Sequence, residues 1–268
     1  MIALCSTIRT HVTMVRPIFS VVLSLQHNNL YHHQRAHSTI ILKSMSNGGP
    51  SESTSTPKRI FCYGDSLTAG TAPPLDGLFP YGQSLESELG DDFVVRWRGL
   101  PGWTADTMVE HLDDGNGLRA AVNAIGNPPL SLVIILAGTN DIGFLTYSIE
   151  AGGEPDVDTA VTPILNLHKA CLDVKKGEHK IRTLAVGIPG SLWQEMKPSA
   201  SKLAADINSS IQQFALSSEG LVSYTDFPFP YEKNDLWCSD GLHLSPNGYT
   251  RLGRDLAPIV KQILERCK

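Results

Sequence analysis

"SLVIILAG", residues 131–138, is the most hydrophobic stretch in the globular part of the chain, and its apolar residues run on without alternation. A strand with one face in water alternates apolar and polar side chains. An unbroken run instead implies a strand covered on both faces, as in a parallel sheet flanked by helices. Working outward, "RIFCY" (59–63) ends at Gly64, "DFVVRW" (92–97) is a β-branched run, "IRTLAVGIPG" (181–190) passes from strand to glycine, and "LVSYTDF" (221–227) is a fifth strand. Stretches with helical spacing separate them: "YGQSLESELG" (81–90), "TADTMVEHL" (104–112), "NGLRAAVNAIG" (116–126), "TAVTPILNLHKACLDVKK" (159–176) and "SKLAADINSSIQQFALSSEG" (201–220). Pro163 is tolerable near the first turn of its helix. "SPNGYTRLGRDLAPIVKQILERC" (245–267) closes the chain with a helix begun by Ser-Pro. The alternation predicts an α/β fold with a central, mainly parallel five-stranded sheet.

In such sheets, sites form beyond the carboxyl ends of the strands. The polar residues and glycines of this chain collect there. The first strand ends in Gly64-Asp65-Ser66, the second is followed by "RGLPGWT" (98–104), the third ends in Gly138-Thr139-Asn140-Asp141, and the fourth in Gly187-Ile188-Pro189-Gly190. Serine after Gly-Asp is ordinary turn chemistry, so Ser66 alone does not declare itself a nucleophile. A catalytic serine needs a base to take its proton and an acid to orient that base.

The net charge of −5 over 268 residues averages two unlike pieces. Residues 1–59 hold six Lys/Arg and the single acid Glu52, whereas residues 60–268 hold sixteen Lys/Arg against twenty-six Asp/Glu. An acidic globular part argues against nucleic acid as a partner, since phosphate binding needs a basic face. No stretch approaches the roughly 20 apolar residues that span a bilayer, so stable membrane insertion is not expected. The acid-poor, Ser/Thr-rich beginning, closing in "SNGGPSESTSTPKR" (46–59), reads as an organelle transit peptide. Two other readings stay open: a secretory signal around "PIFSVVLSL" (17–25), and initiation at Met45, which implies a cytoplasmic protein. On each of them residues 1–57 are expected to be a disordered targeting or linker segment and residues 58–268 the domain. Nothing in the sequence sets an oligomeric state.

Five cysteines, at 5, 62, 171, 238 and 267, form no CxxC and no metal-ligand spacing. Free thiols are expected, and a Cys62–Cys238 bridge only if the fold brings those segments together. Of the domain's four histidines, 111, 168 and 179 sit in helical or charged stretches where a solvated ring is the natural reading. His243 instead lies in a glycine-containing loop, "DLWCSDGLHLSPNGY" (235–249), three residues after Asp240. An imidazole with an unperturbed pKa of about 6.5 suits the base, and a neighbouring carboxylate fixes its tautomer. A D-x-x-H pair by itself is more often a loop cap.

Taken together, Gly64-Asp65-Ser66-Leu67, the Gly102 segment, Gly138-Thr139-Asn140-Asp141 and Asp240-Gly241-Leu242-His243 resemble the blocks of the GDSL, or SGNH, hydrolase family, in order and in context. The resemblance covers roughly residues 58–265. It implies a three-layer α/β/α sandwich like flavodoxin, and hydrolysis of esters or thioesters with neither metal nor organic cofactor. It makes Ser66 the nucleophile, His243 the base, Asp240 the orienting acid, and the Ser66 N–H, the Gly102 N–H and the Asn140 amide the oxyanion donors. Glycine at 102 lets backbone approach substrate closely, and Asn140 donates while staying neutral. Asp65 and Asp141 read as braces of their turns.

Family members carrying "GDSLTAG" and "DGLHLSPNGY" act on short aryl or acetyl esters, so the expected substrate is a small acyl ester. Thioesterase or lysophospholipase activity on the same machinery is the nearest alternative, and an acyl-glycan binding module a remoter one. A G-x-S-x-G elbow is missing, which sets aside the standard α/β-hydrolase arrangement. Trp103, directly after Gly102, is a candidate wall of the acyl pocket, with Trp193 and Trp237 weaker ones. "SIEAGGEPDVD" (148–158) reads as an acidic loop that could border the site.

Overall fold

The structure is a computed structural model and describes residues 57–124, 130–154, 156–176 and 179–265. The segment read as an address lies outside these residues, apart from Pro57. Five strands form the central sheet: β1 (Lys58–Gly64), β2 (Phe93–Gly99), β3 (Leu130–Leu136), β6 (Arg182–Val186) and β7 (Val222–Thr225). Their order is β2-β1-β3-β6-β7, and every neighbouring pair is parallel. The two short strands β4 (Lys175–Lys176) and β5 (His179–Lys180) pair antiparallel, apart from the sheet, where the sequence suggested the tail of a helix.

The unbroken apolar run is β3, and it is covered on both faces. Leu132, Ile134 and Leu136 pack with Ile60 and Cys62 against α2 (Tyr81–Leu89) and α9 (Pro246–Glu265). Val133, Ile135 and Ala137 pack with Phe61 and Tyr63 on the opposite face. There they meet α3 (Ala105–Glu110), α4 (Leu118–Asn123), α5 (Thr139–Glu150), α6 (Asp158–Leu172) and α8 (Pro198–Ser217). The period-two alternation of side chains thus feeds two cores from one strand. The result is the parallel sheet that the alternation of elements implied, in the three-layer α/β/α sandwich that the resemblance implied.

Successive connections leave the sheet in opposite directions from β1 and β3, which opens a crevice between their carboxyl ends. Gly64 stands level with Gly99 on one side and Leu136 on the other, so three chains leave the sheet at one height. A Cβ on Gly64 would overlap the Leu136 carbonyl oxygen. Glycine is therefore required where the Ser66 turn leaves the sheet.

Three local expectations change. First, α5 occupies residues 139–150, so the first three residues of the segment expected as a loop from 148 are helical. Gly138, at φ 114°, turns the chain sharply out of β3, and the helix starts at once. Second, α6 begins at Asp158, which puts Pro163 in its second turn rather than its first. Third, His168 is fully buried rather than solvated: it lies on the α6 stripe of Ile164, Leu167 and Cys171 and hydrogen-bonds Thr183 Oγ1 at 2.8 Å. Cys62, Cys171 and Cys238 are free thiols. Among the described residues no helix is long and apolar enough to cross a membrane.

Candidate active site

Ser66 is the first residue of α1 (Ser66–Ala69), the short helix that follows β1. Asp65 caps this helix: its Oδ1 accepts the Leu67 N–H at 2.9 Å. A residue at the start of a helix has no carbonyl one turn back for its N–H, so the Ser66 N–H has no acceptor within the helix. The Gly64 carbonyl accepts the Leu100 N–H at 2.8 Å and draws in the segment after β2. Two residues later Gly102 is exposed at φ 80°, a conformation that side chains rarely adopt.

His243 reaches this edge from the far end of the chain. Its loop is a small hairpin in which Trp237 and Leu244 pair and the Cys238 N–H donates to the His243 carbonyl at 2.8 Å. Gly241, at φ 66°, makes the turn. Ser245 then caps α9 through its hydroxyl, which accepts the Gly248 N–H at 3.2 Å. Held this way, His243 Nε2 lies 3.0 Å from Ser66 Oγ, and its Nδ1 lies 2.7 Å from Asp240 Oδ2. With Nδ1 protonated, the ring donates to Asp240 and leaves Nε2 to accept the serine proton. Asp240 Oδ1 also accepts the N–H groups of Leu242 and His243, each at 3.0 Å. Burial pushes the Asp240 carboxyl up, but the bonds from the His243 ring and these two N–H groups outweigh it and hold it below its ordinary value.

Asn140 stands in the first turn of α5 and donates from Nδ2 to the Trp103 carbonyl at 2.9 Å. A primary amide carries two N–H bonds, and one of them ties the β3 turn to the Gly102 segment. Asp141 braces the same junction, since both of its carboxylate oxygens lie 3.1 Å from the Ala105 N–H at the start of α3. Burial pushes its carboxyl up to about 6, although the Ala105 N–H works against the shift.

The tryptophans divide. Trp103 is half-buried, its ring lies 5.0 Å from that of His111, and its carbonyl rather than its indole meets Asn140. Trp237 is buried in an aromatic cluster with Phe227, Phe229 and Tyr231. It also lines a cavity of about 210 Å³ behind the Asp240 loop, together with Leu192, Tyr231 and Cys238. Trp193 is exposed, with the Lys197 ammonium 5.3 Å from its ring centre.

One feature escaped the sequence reading. Phe144 and Tyr147 are exposed and follow Asn140 by four and seven residues, so they share its face of α5. The signal was available in that spacing, but only to a reader who had placed a helix there.

Comparison with known proteins agrees with this fold. The M. smegmatis aryl esterase superposes with a TM-score of 0.57 at 23% identity, over 77% of this chain and 99% of that one. A carbohydrate acetylesterase from Sinorhizobium meliloti does so with a TM-score of 0.58 at 24% identity, again over 77% and 99%. No curated protein sequence matches significantly. The profile of the GDSL-like lipase/acylhydrolase family matches residues 62–251, a span that begins inside β1 and ends inside α9 and so takes in every segment that meets at this edge. The chain belongs to that family, and it is a carboxylester hydrolase.

Proposed function

We propose that the enzyme cleaves carboxylic esters of short acyl chains through an acyl-serine intermediate. What supports this most directly is the chain of contacts from Ser66 Oγ to His243 Nε2 at 3.0 Å and from His243 Nδ1 to Asp240 at 2.7 Å, between residues 177 positions apart. Both lengths suit a nucleophile, its base and the base's orienting acid. Ser66 Oγ bonds to the acyl carbon as His243 Nε2 takes its proton. The carbonyl oxygen becomes an oxyanion facing the Ser66 and Gly102 N–H groups and the free Asn140 N–H. Collapse breaks the ester bond, and the imidazolium returns the proton to the departing alcohol. Water then gives a proton to His243 as it attacks the acyl carbon; the bond from that carbon to Ser66 Oγ breaks, the acid leaves, and His243 returns the proton to Ser66 Oγ.

The short-acyl preference rests on the resemblance of "GDSLTAG" and "DGLHLSPNGY" to small esterases. The M. smegmatis neighbour, an aryl esterase, and the S. meliloti neighbour, a carbohydrate acetylesterase, share the fold. The test is a chain-length series of p-nitrophenyl esters beside an acyl-CoA and a lysophospholipid. Highest kcat/KM on acetate or butyrate is expected, and preference for acyl-CoA or lysophospholipid overturns the substrate reading. Ser66→Ala and His243→Ala each lose several orders of magnitude in kcat, with little more lost in the double variant, because the residues act as a unit. Full activity in Ser66→Ala sinks the nucleophile assignment. EDTA leaves the rate unchanged, since N–H donors take up the oxyanion's charge.

A further inference from the structure

The fourth strand end, Gly187-Ile188-Pro189-Gly190, contributes no residue to the steps above, yet the chain leaving it is bonded to the loop that does. At the start of α7 (Leu192–Met196) the Leu192 N–H donates to the Gly241 carbonyl at 2.8 Å. That carbonyl belongs to the Gly241–Leu242 peptide, whose N–H donates in turn to Asp240 Oδ1 at 3.0 Å. One peptide group is thus held at both ends, by Leu192 on one side and by the Asp240 carboxylate on the other. Hydrogen bonds in such a chain polarise and strengthen one another.

Both partners of the outer bond are fixed in place. Asn208 of α8 grips Ile188 twice, accepting its N–H on Oδ1 at 2.8 Å and donating from Nδ2 to its carbonyl at 3.1 Å. Gln194 Nε2 donates to the Pro189 carbonyl at 2.9 Å, and the buried Ser191 caps α7 by accepting the Gln194 N–H at 3.3 Å. Gly241 lies at φ 66°, and a Cβ there would fall 2.4 Å from Leu192 Cβ and 2.9 Å from the Tyr231 hydroxyl. Glycine at 241 therefore does more than permit a turn, because it lets the Asp240 loop close onto Leu192. The Asp240 side chain is 35% exposed, so burial alone does not lock it and the tie from outside its loop counts.

We propose that Leu192 is a positioning residue of this hydrolase: through its backbone N–H, the turn after β6 holds the Gly241–Leu242 peptide with the Leu242 N–H aimed at Asp240, and so sets that carboxylate behind the His243 ring. The proposal rests on the triad reading. A group displaced by about 1 Å from its working place can cost on the order of 10² in rate.

The test uses the full chain and p-nitrophenyl butyrate. Leu192→Pro removes the bond by putting a ring carbon in place of the N–H. The helix itself tolerates the change, since proline suits a first helical position and Ser191, extended at φ −155° and ψ 164°, already has the conformation a following proline needs. Leu192→Ala loses the same apolar side chain but keeps the N–H. The kcat of Leu192→Pro is expected to be about tenfold or more below that of Leu192→Ala, with similar KM. A bond that is structural only would lower the melting temperature of the proline variant and leave the two kcat values equal, which overturns the proposal. Should Leu192→Pro fail to fold, Gly241→Ala pushes the same peptide off Leu192 through the overlap described. A comparable loss of kcat at unchanged KM is then expected, and a wild-type kcat overturns the proposal. Ser66→Ala is the control on the reading beneath. If Ser66→Ala is inactive while the two Leu192 variants have equal kcat, this proposal alone fails; if Ser66→Ala is active, the triad reading fails first.

Discussion

The bond from Asn140 Nδ2 to the Trp103 carbonyl, 2.9 Å long, gives one side chain two duties that mutation can separate. One N–H ties two loops in the resting enzyme, and on the proposed mechanism the other serves charge that exists only in the transition state. Asn140→Ala is therefore expected to lower kcat by roughly 10²-fold or more with KM little changed. Loss of the tie should also cost about 1 kcal/mol of stability. Asn140→Asp should be slower still, because it sets a carboxylate where negative charge forms. Steady-state kinetics and a melting curve on each variant read the two effects independently. A destabilised Asn140→Ala enzyme with near wild-type kcat would show that the tie is the residue's whole contribution.

At the scale of elements, α6 carries a titratable group into the core. Burial pushes His168 down to about 3, and its ring is neutral against Thr183 at 2.8 Å. The unfolded chain protonates this histidine near pH 6.5. Below that pH the unfolded state binds the extra proton and the folded state does not. The stability associated with His168 is thus complete above about pH 6.5 and is lost as pH falls toward 3, at up to about 1.4 kcal/mol per pH unit. Asp65 and Asp141 act in the opposite sense: both carboxyls are raised to about 6, so the folded state takes up their protons first as pH falls from about 6 toward 4. Urea midpoints between pH 4 and 7 for wild type and His168→Gln test the assignment. The variant should be less stable at pH 7, yet should lose less stability on acidification than the wild type. Parallel profiles would refute a neutral buried ring.

Across the whole molecule, exposed apolar side chains are not scattered evenly. Leu75 and Leu78 lie in the loop after α1, Phe144 and Tyr147 on α5, and Trp193 and Met196 on α7 (Leu192–Met196). All six follow the carboxyl ends of β1, β3 and β6, and among the described residues only Leu216 is another large apolar side chain as exposed. The ion pair between Lys197 and Glu150 joins the ends of α7 and α5. If these side chains rim the proposed site, they favour an ester with an apolar group to cover them. Replacing Phe144 and Tyr147 together by Ser should raise KM for p-nitrophenyl butyrate by about 3–10-fold, and for the acetate by less, because fewer apolar atoms of the acetate leave water. Equal effects on both esters would exclude this rim from acyl binding.

The unbroken run at 131–138 was sufficient to name a strand buried on both faces, and strand–helix alternation then implied the parallel sheet. Both are local patterns, governed by which side chains must leave water, and so they are legible along the chain. The strand-end glycines and polar residues marked the edge where chemistry gathers, although Gly102 and Asn140 acquired their roles from family resemblance. What the pattern could not supply was distance. That His243 stands 3.0 Å from Ser66 depends on β1 lying beside β3, on α9 packing across that face, and on a hairpin pinned at Trp237 and Leu244. Helix α5 was missed because Thr-Asn-Asp reads as a turn, and only the chain reversal at Gly138 and the packing of Ile142 and Leu145 make it a helix. His168 reads as solvated because it stands in a helical stretch that resembles surface. It is buried because the stripe of α6 that contains it faces the sheet, and which stripe faces inward is decided by packing between elements rather than by any one residue's preference.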